Sequence, residues 1–456
     1  MATTEFSRRQ LLKAAALAAA GAAPAAGALP AAAATPRWQN WSGSQSANPR
    51  WQLHPESLAE LREALAVAPT PIRPVGAGHS FSPLCPTAGT LVDIGALRGL
   101  VSYNEERLRA RVRAGTPIRD LGPMFNEIGQ ALPNQGDVDP QTVAGACGTS
   151  THGTGRTLGS FSSLVTAAQL LTPQGDMLEI SENENAEWLP AVACNLGVLG
   201  LLTEIELQNR EPYRLEEVLG TAPLRETLAN FAALSRDARH FEVFIFPYSD
   251  TLLTKTLRET TERPTPEPEF SVPDSEIFAA LTRLGHGVAP LDGPLQKALT
   301  ALYPSSRRVG DSWRIFPSDR EQTRFNEMEY ELPFARGIEC LAELLTAIRK
   351  ADLNLMFPLE VRSVAADTAW ISPFYRQDSL SISVHQWVGA DHRPLFALAE
   401  PILRRHGGRP HWGKMHTLRA ADFAALYPRW EDFSRLRREL DPAGRMLSPP
   451  LREMLV

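Results

Sequence analysis

The sequence predicts an α+β protein of two domains behind a removable leader, on three observations. The chain has 456 residues, more than one hydrophobic core usually supports. Short strand patterns in the first half end in glycine-rich loops, and from about Glu211 the pattern changes to longer strands alternating with helices. The first 34 residues differ in composition from everything that follows. Hydrophobic residues make up 43% and charged residues 21%, a globular balance. The net charge is -6 with no long basic block, which argues against a nucleic-acid partner. The four cysteines (Cys85, Cys147, Cys194 and Cys340) lie far apart without metal-ligand spacing. They read as small buried hydrophobes, with one disulfide open to an exported protein.

In chain order, the leader comes first. Ser7-Arg8-Arg9-Gln10-Leu11-Leu12-Lys13 places paired arginines before an Ala- and Gly-rich stretch from Leu11 to Ala34. Pro24 and Pro30 break that stretch, and Ala32-Ala33-Ala34 supplies small residues for cleavage. Residues 1–34 resemble a twin-arginine signal, a route for folded, cofactor-loaded proteins, so export is expected. Low hydrophobicity and two prolines suit a cleaved peptide better than an anchor. No other segment reaches spanning length, so no integral membrane part is expected.

Folded sequence begins near Trp38. Leu58, Leu61 and Leu65 predict a helix over 56–66, followed by a strand over 72–75. Strands are expected over 91–94 and 108–114 and a helix over 117–128. A Gly- and Thr-rich stretch runs from Pro133 to Gly155. Leu164 to Ile180 reads as two strands joined by the turn Pro173-Gln174-Gly175-Asp176, then come a helix over 186–195 and a strand over 201–207. Beyond Glu211, a helix over 223–235 precedes strands over 240–247 and 251–258. A proline-rich loop (Pro264, Pro266, Pro268, Pro273) leads to helices over about 275–303. A helix over 337–350, strands over 355–364 and 379–388, and a helix over 393–406 follow. From about 418 the chain is helical with an irregular tail.

Three stretches bring a backbone within reach of a large flat ligand. Val75-Gly76-Ala77-Gly78-His79-Ser80 follows a strand directly, which lets backbone N–H groups approach a pyrophosphate. A Rossmann fingerprint would need a third glycine and a helix; Ser82-Pro83 blocks that helix. Thr142-Val143-Ala144-Gly145 and Thr149-Ser150-Thr151-His152-Gly153-Thr154-Gly155 line a second small-residue surface. Asn195-Leu196-Gly197-Val198-Leu199-Gly200, before a strand, gives the third. In the second half, Glu360 and Arg362 are two apart in a strand and share one face. Lys414 ends the run Arg409-Pro410-His411-Trp412-Gly413-Lys414. Each feature has a plain alternative: a tight turn, a solvated histidine or a surface ion pair.

Together the three loops resemble the FAD-binding domain of the vanillyl-alcohol oxidase superfamily, in the family's order and spacing. Glu360-Val361-Arg362-Ser363-Val364-Ala365-Ala366-Asp367, Trp370-Ile371-Ser372-Pro373 and Arg409 to Lys414 are similar to the aldonolactone and alditol oxidases. The likeness covers nearly the whole mature chain but is poor over about 215–335, and Ser448-Pro449-Pro450 departs from the usual ending. It implies a PCMH-type FAD-binding fold of two α/β subdomains over 38–212. It also implies a substrate domain with an antiparallel sheet flanked by helices over 213–417, and a segment over 418–456 that returns to the first domain.

The resemblance assigns residues as well. His79 matches the histidine bonded to the flavin 8α carbon. Val75, Gly76, Ala77, Gly78 and Ser80 would contact the pyrophosphate. Thr142, Gly145, Thr149, Ser150, Thr151, His152 and Leu201 would line the cofactor, and Gly136 and Asp137 would face its ring. Glu360, Arg362 and Lys414 would be catalytic, bracketing a hydroxyl of a sugar-derived alcohol or lactone, with Lys414 also at the flavin. Asp137, His411 and either His385 or Gln386 would reach the substrate. FAD carries the redox chemistry, with hydride passing to N5 and electrons then to O2, giving peroxide. Gly136, lacking a side chain beside the ring, favours oxygen as acceptor. A dehydrogenase of the same fold is the alternative. A non-catalytic flavin-binding protein is a third reading, which the cluster of Glu360, Arg362 and Lys414 argues against.

Overall fold

The computed structural model describes residues 38–266, 292–317 and 323–456. The expected leader with Arg8 and Arg9 lies outside these residues, as do 275–291 of the expected helices and the end of the proline-rich loop. Among the described residues no helix is long and apolar enough to cross a membrane.

Strands β1 (Trp51–Leu53), β2 (Ile72–Val75) and β3 (Thr90–Asp93) form a parallel sheet in the order β1-β3-β2. Parallel strands of one sheet need a crossover, and the helix Leu58–Val67 provides it between β1 and β2, which flank β3. That helix starts where Ser57 accepts the Glu60 N–H through its hydroxyl, and it buries Leu61 and Leu65, four apart on one face. A second, antiparallel sheet contains β4 (Leu100–Asn104), β5 (Arg109–Arg113), β6 (Val165–Leu171), β7 (Met177–Ile180) and β8 (Leu201–Gln208), ordered β4-β5-β8-β6-β7. The helix Val143–Gly148 buries Val143, Ala146 and Cys147 in the core that these two sheets share.

The second half builds one eight-stranded antiparallel sheet. Its strands are β9 (Arg214–Pro223), β10 (His240–Ile245), β11 (Thr251–Thr260), β12 (Ser306–Asp311), β13 (Phe325–Pro333), β14 (Leu359–Val364), β15 (Ser379–Trp387) and β16 (Arg409–Pro410). The order is β12-β9-β11-β10-β14-β15-β13-β16. Register decides the two faces. Val361 opposes Ile382 and Tyr330 opposes Ile382, so one face is apolar, and the helices Phe334–Ala351 and Arg393–Arg405 cover it. Arg308, Glu217, Lys255, Glu242, Arg362, Ser381, Glu331 and Arg409 fall on the other, a row of polar groups running across the sheet. This face looks toward the glycine loops.

Several elements differ from the sequence expectation. Strands β4, β9, β12 and β13 form where none was expected. β4 is a largely exposed hairpin partner of β5, so it lacks an apolar period, whereas β9, β12 and β13 take partners from distant segments. The Gly- and Thr-rich stretch contains the helix Val143–Gly148, capped by the Thr142 hydroxyl on the Gly145 N–H. The expected helix over 186–195 shortens to a 3₁₀ turn and Leu189–Ala193, and the one over 223–235 breaks at Asn230. The tail is a helix, Pro449–Leu455, since proline is tolerated in a first helical turn. All four cysteines are free, so the disulfide does not form.

The C-terminal segment packs back on the first sheet. Ile72 donates its N–H to the Arg445 carbonyl at 2.8 Å. Arg73, fully buried, donates to the carbonyls of Leu84, Leu196, Gly197 and Met446 at 2.6–2.9 Å. Burial pulls its guanidinium down to about 10.

Candidate active site

A cleft of about 1430 Å³ opens between the glycine loops and the polar face of the large sheet. It is open to solvent, and its floor and its opposite wall are lined by different halves of the chain. Its floor is the loop Val75 to Ser80, with Gly136, Asp137, Thr142, Gly145, Thr149, Thr151, His152 and Leu201 beside it. Its opposite wall carries Glu360, Arg362, His385, His411 and Lys414.

The floor is built for close approach. A Cβ at Gly76 would stand 2.5 Å from the Thr142 hydroxyl, so only glycine lets these two loops meet. The amide N–H groups of Ala77 to Ser80 meet no acceptor among the described residues. Consecutive free amides in a turn make an anion-binding concavity, which fits a pyrophosphate. The residues present therefore fit FAD, and residues 75–80, 142–152 and 195–201 are those that would hold it.

His79 stacks on Trp41 with ring centroids 4.9 Å apart. Burial, then Lys414, lower its imidazole to about 4, so it stays neutral with a free lone pair at neutral pH. Trp41, Phe81, Phe325 and Phe357 continue this aromatic corner toward His385.

The wall is held from two sides. The turn His411 to Lys414 is clamped to β13, since His411 and Met415 donate their N–H groups to the Glu329 and Glu327 carbonyls. From the floor, Phe81 N–H and the Ser82 hydroxyl donate to the Gly413 and Trp412 carbonyls. Trp412 is fully buried, stacked 4.5 Å from Phe423, and its indole N–H donates to the Ile371 carbonyl.

Charges on this wall alternate. Lys414 is bonded to Glu327 and lies 3.7 Å from Glu329. Arg362 donates to Glu329 at 2.5 Å, and its Nε is 3.7 Å from Glu360. His385 Nε2 lies 3.4 Å from Glu327 and 3.9 Å from Glu360. Burial would depress the Arg362 guanidinium, but Glu360 and Glu329 hold it well above its ordinary value. Burial would raise the Glu327 carboxyl, yet Lys414 and His385 hold it far below the usual range. Burial lowers His411 to about 3, and it accepts the Gly413 N–H at Nδ1.

Next to this wall, Lys255 bridges Asp137 at 2.7 Å and Glu242 at 3.0 Å. Burial, only partly offset by Lys255, raises Glu242 to about 7. Asp137 is thus tied to the large sheet at the same time as it lines the cleft.

Two expected site residues stay out of the cleft. Ser150 is fully buried with φ +57, its hydroxyl 2.8 Å from that of Ser162, because the chain turns sharply after the helix Val143–Gly148. Gln386 points to the other face of β15 from His385, as strand alternation requires, and donates to the Asn354 carbonyl. His385 is therefore the one of that pair at the cleft. Gly136 does line the cleft, but a Cβ there would sit 2.9 Å from the His152 carbonyl. A methyl group at 136 would strike backbone rather than simply narrow a gap. Sequence reasoning missed Trp41, Phe325, Glu327, Glu329 and Lys255. The period-two run Glu327, Glu329, Glu331 against Met328, Tyr330, Leu332 was the signal for β13.

Comparison with known proteins agrees with this geometry. Residues 205–454 match the family described as D-arabinono-1,4-lactone oxidase, and residues 49–181 match an FAD binding domain. An L-gulono-1,4-lactone dehydrogenase of Mycobacterium tuberculosis is 33% identical over 92% of this chain and 99% of its own. An alditol oxidase of a Streptomyces species is 26% identical over 91% of this chain and 98% of its own. Among solved structures, cholesterol oxidase from Brevibacterium sterolicum shares the fold, with a TM-score of 0.78 at 18% identity over 94% of this chain and 100% of that one. The chain therefore belongs to the D-arabinono-1,4-lactone oxidase family, with an FAD-binding domain joined to its large-sheet half.

Proposed function

We propose that this protein is an FAD-dependent oxidoreductase that oxidises a carbinol group of a sugar-derived lactone or alditol. The observation that carries the reading is the wall of Glu360, Arg362 and Lys414, the first two buried and the third half-buried, across the cleft from the glycine loops. FAD, when bound, supplies the two-electron oxidant that takes the carbinol hydrogen as hydride. The residues of the chain do the rest. Arg362 and Lys414 present fixed positive charge to a hydroxyl oxygen as its proton leaves, in a wall where Arg362 and Glu360 are nearly water-free. In this reading Glu360 takes that proton, supported by its position beside Arg362 and His385. Asp137 and His385 offer acceptors and donors to the remaining hydroxyls of a polyol.

Two finer assignments belong to the same proposal. His79 bonds covalently to the flavin, supported by its neutral lone pair in the glycine loop. Oxygen is the acceptor, supported by the bare backbone of Gly136 at the cleft. A non-oxygen acceptor is the second reading, favoured by the relative named a dehydrogenase and by the His152 carbonyl that already explains glycine at 136.

The test is anaerobic addition of a panel of aldonolactones and alditols to holoenzyme, following the flavin absorbance. At least one sugar should bleach it, and Arg362→Met should slow that bleaching by about 100-fold. A panel without any bleaching ends the reading. Reduced enzyme that persists in air selects the non-oxygen acceptor.

A further inference from the structure

Glu329 sits mid-strand in β13 with its side chain about 1% exposed, and groups from four separate segments converge on its carboxylate. Arg362 Nη2 on β14 is 2.5 Å away and the Ser381 hydroxyl on β15 is 2.6 Å away. His152 Nε2, from the cofactor loop, is 3.2 Å away, and Lys414 Nζ, from the clamped turn, is 3.7 Å away. Glu327 and Glu360 each serve only part of this set.

The His152 ring is fixed by a second bond. Its Nδ1 lies 2.8 Å from the Gly153 carbonyl, which can only accept, so Nδ1 carries a hydrogen. Nε2 then faces two carboxylates, Glu329 at 3.2 Å and Glu331 at 3.5 Å. Neither oxygen of Glu331 has a hydrogen-bond partner among the described residues. Burial pushes the Glu331 carboxyl up, whereas Arg362 and Lys414 keep Glu329 ionised, so a bare lone pair at Nε2 would be repelled by Glu329 and a proton there makes that contact attractive.

We propose that Glu329 is the positioning residue of the cleft: its carboxylate fixes Arg362 and Lys414 and keeps a proton on His152. The other groups around His152 are Arg362 from β14, which opposes that proton, Lys414, which lies against Glu329, and two rings. His411 stands 5.7 Å away by centroid and is neutral, and Phe374 stands edge-on with its centroid 5.0 Å away. Burial and Arg362 pull the imidazole down, but Glu329 and Glu331 together outweigh them and raise it to about 9. Burial would raise the Glu329 carboxyl, but Arg362, His152 and Lys414 hold it well below its ordinary value. His152 lines the cofactor side of the cleft and Arg362 the opposite wall. One buried anion thus sets the charge on both sides.

The inference rests on the reading of Arg362 and Lys414 as the charged wall of an oxidoreductase, and its first test needs no turnover. Nitrogen-15 NMR of histidine-labelled holoenzyme should show His152 protonated on both nitrogens from pH 6 to 8. In Glu329→Gln it should titrate near or below the ordinary value of about 6.5, and Glu329→Asp, which keeps the charge, should restore protonation. Anaerobic flavin reduction by substrate should slow about 10- to 100-fold in the Gln variant and recover in part with Asp. A Gln variant that keeps the wild-type titration, or reduces its flavin at the wild-type rate, overturns the proposal. If that variant does not fold, the wild-type titration decides, since a neutral His152 at pH 7 overturns it alone. A protein that oxidises no sugar ends the proposed function and leaves the His152 titration to judge Glu329.

Discussion

His79 shows how one residue is prepared for chemistry before any ligand arrives. Its ring is stacked on Trp41, and burial with Lys414 nearby keeps it neutral. A neutral imidazole nitrogen can form a carbon–nitrogen bond, while a protonated one cannot. Acid-precipitated wild-type protein should therefore stay yellow, and His79→Ala should release its flavin to the supernatant. Wild-type protein that loses all its flavin in acid would refute the covalent link. At this scale the sequence was most informative where spacing and chemistry coincide. Glu360 and Arg362 share a strand face as their i, i+2 spacing requires, and Gly76 sits where its loop meets Thr142 of the second loop. Glu329 was not legible, because a glutamate ordinarily belongs in water, and only the surrounding cations show why this one is buried.

Strand β13 makes the same point at the level of an element. It pairs with β15 along its whole length, placing Glu327 opposite His385 and Glu329 opposite Ser383. Its alternation was visible, but three carboxylates on one face look like a solvent edge when the facing loops are unknown. Strand β15 was legible, and its alternation separates two neighbours that the sequence left open. His385→Ala should raise KM for the preferred sugar by about 10-fold, roughly the loss of one hydrogen bond to a charged or polar group. Gln386→Ala, on the apolar side of the strand, should leave KM unchanged. Steady-state kinetics with both variants checks this, and equal effects would show that the side of the strand does not matter. The ends of the helices over 223–235 and 186–195 were misplaced for a local reason. Asn230 and the 3₁₀ turn at Ala186–Trp188 interrupt otherwise helical spacing.

Over the whole molecule, the cleft exists only where two differently built sheets meet. The parallel sheet contributes loops, the eight-stranded sheet contributes charged side chains, and the Asp137–Lys255–Glu242 bridge ties them together. The α+β class and most elements of the first half could be read from periodicity. The order of the large sheet could not, because β13 lies between β15 and β16, and β9 between β11 and β12, through pairings between distant segments. Local patterns do not encode such partners.

The buried guanidinium of Arg73 carries a consequence for the timing of manufacture. Its acceptors lie 11, 123, 124 and 373 residues further along the chain. A ribosome adding about 5–20 residues per second takes roughly 20–75 s to travel from Arg73 to Met446. Throughout that interval the strand leading into the glycine loop lacks its last anchor, and the expected outcome is that the cofactor is seated on the finished polypeptide. Nascent chains stalled at residue 440 should capture no flavin, whereas chains released at full length should do so. Fluorescence of flavin retained on purified ribosome complexes measures the difference, and capture by the stalled chain would show that the C-terminal segment is dispensable for loading.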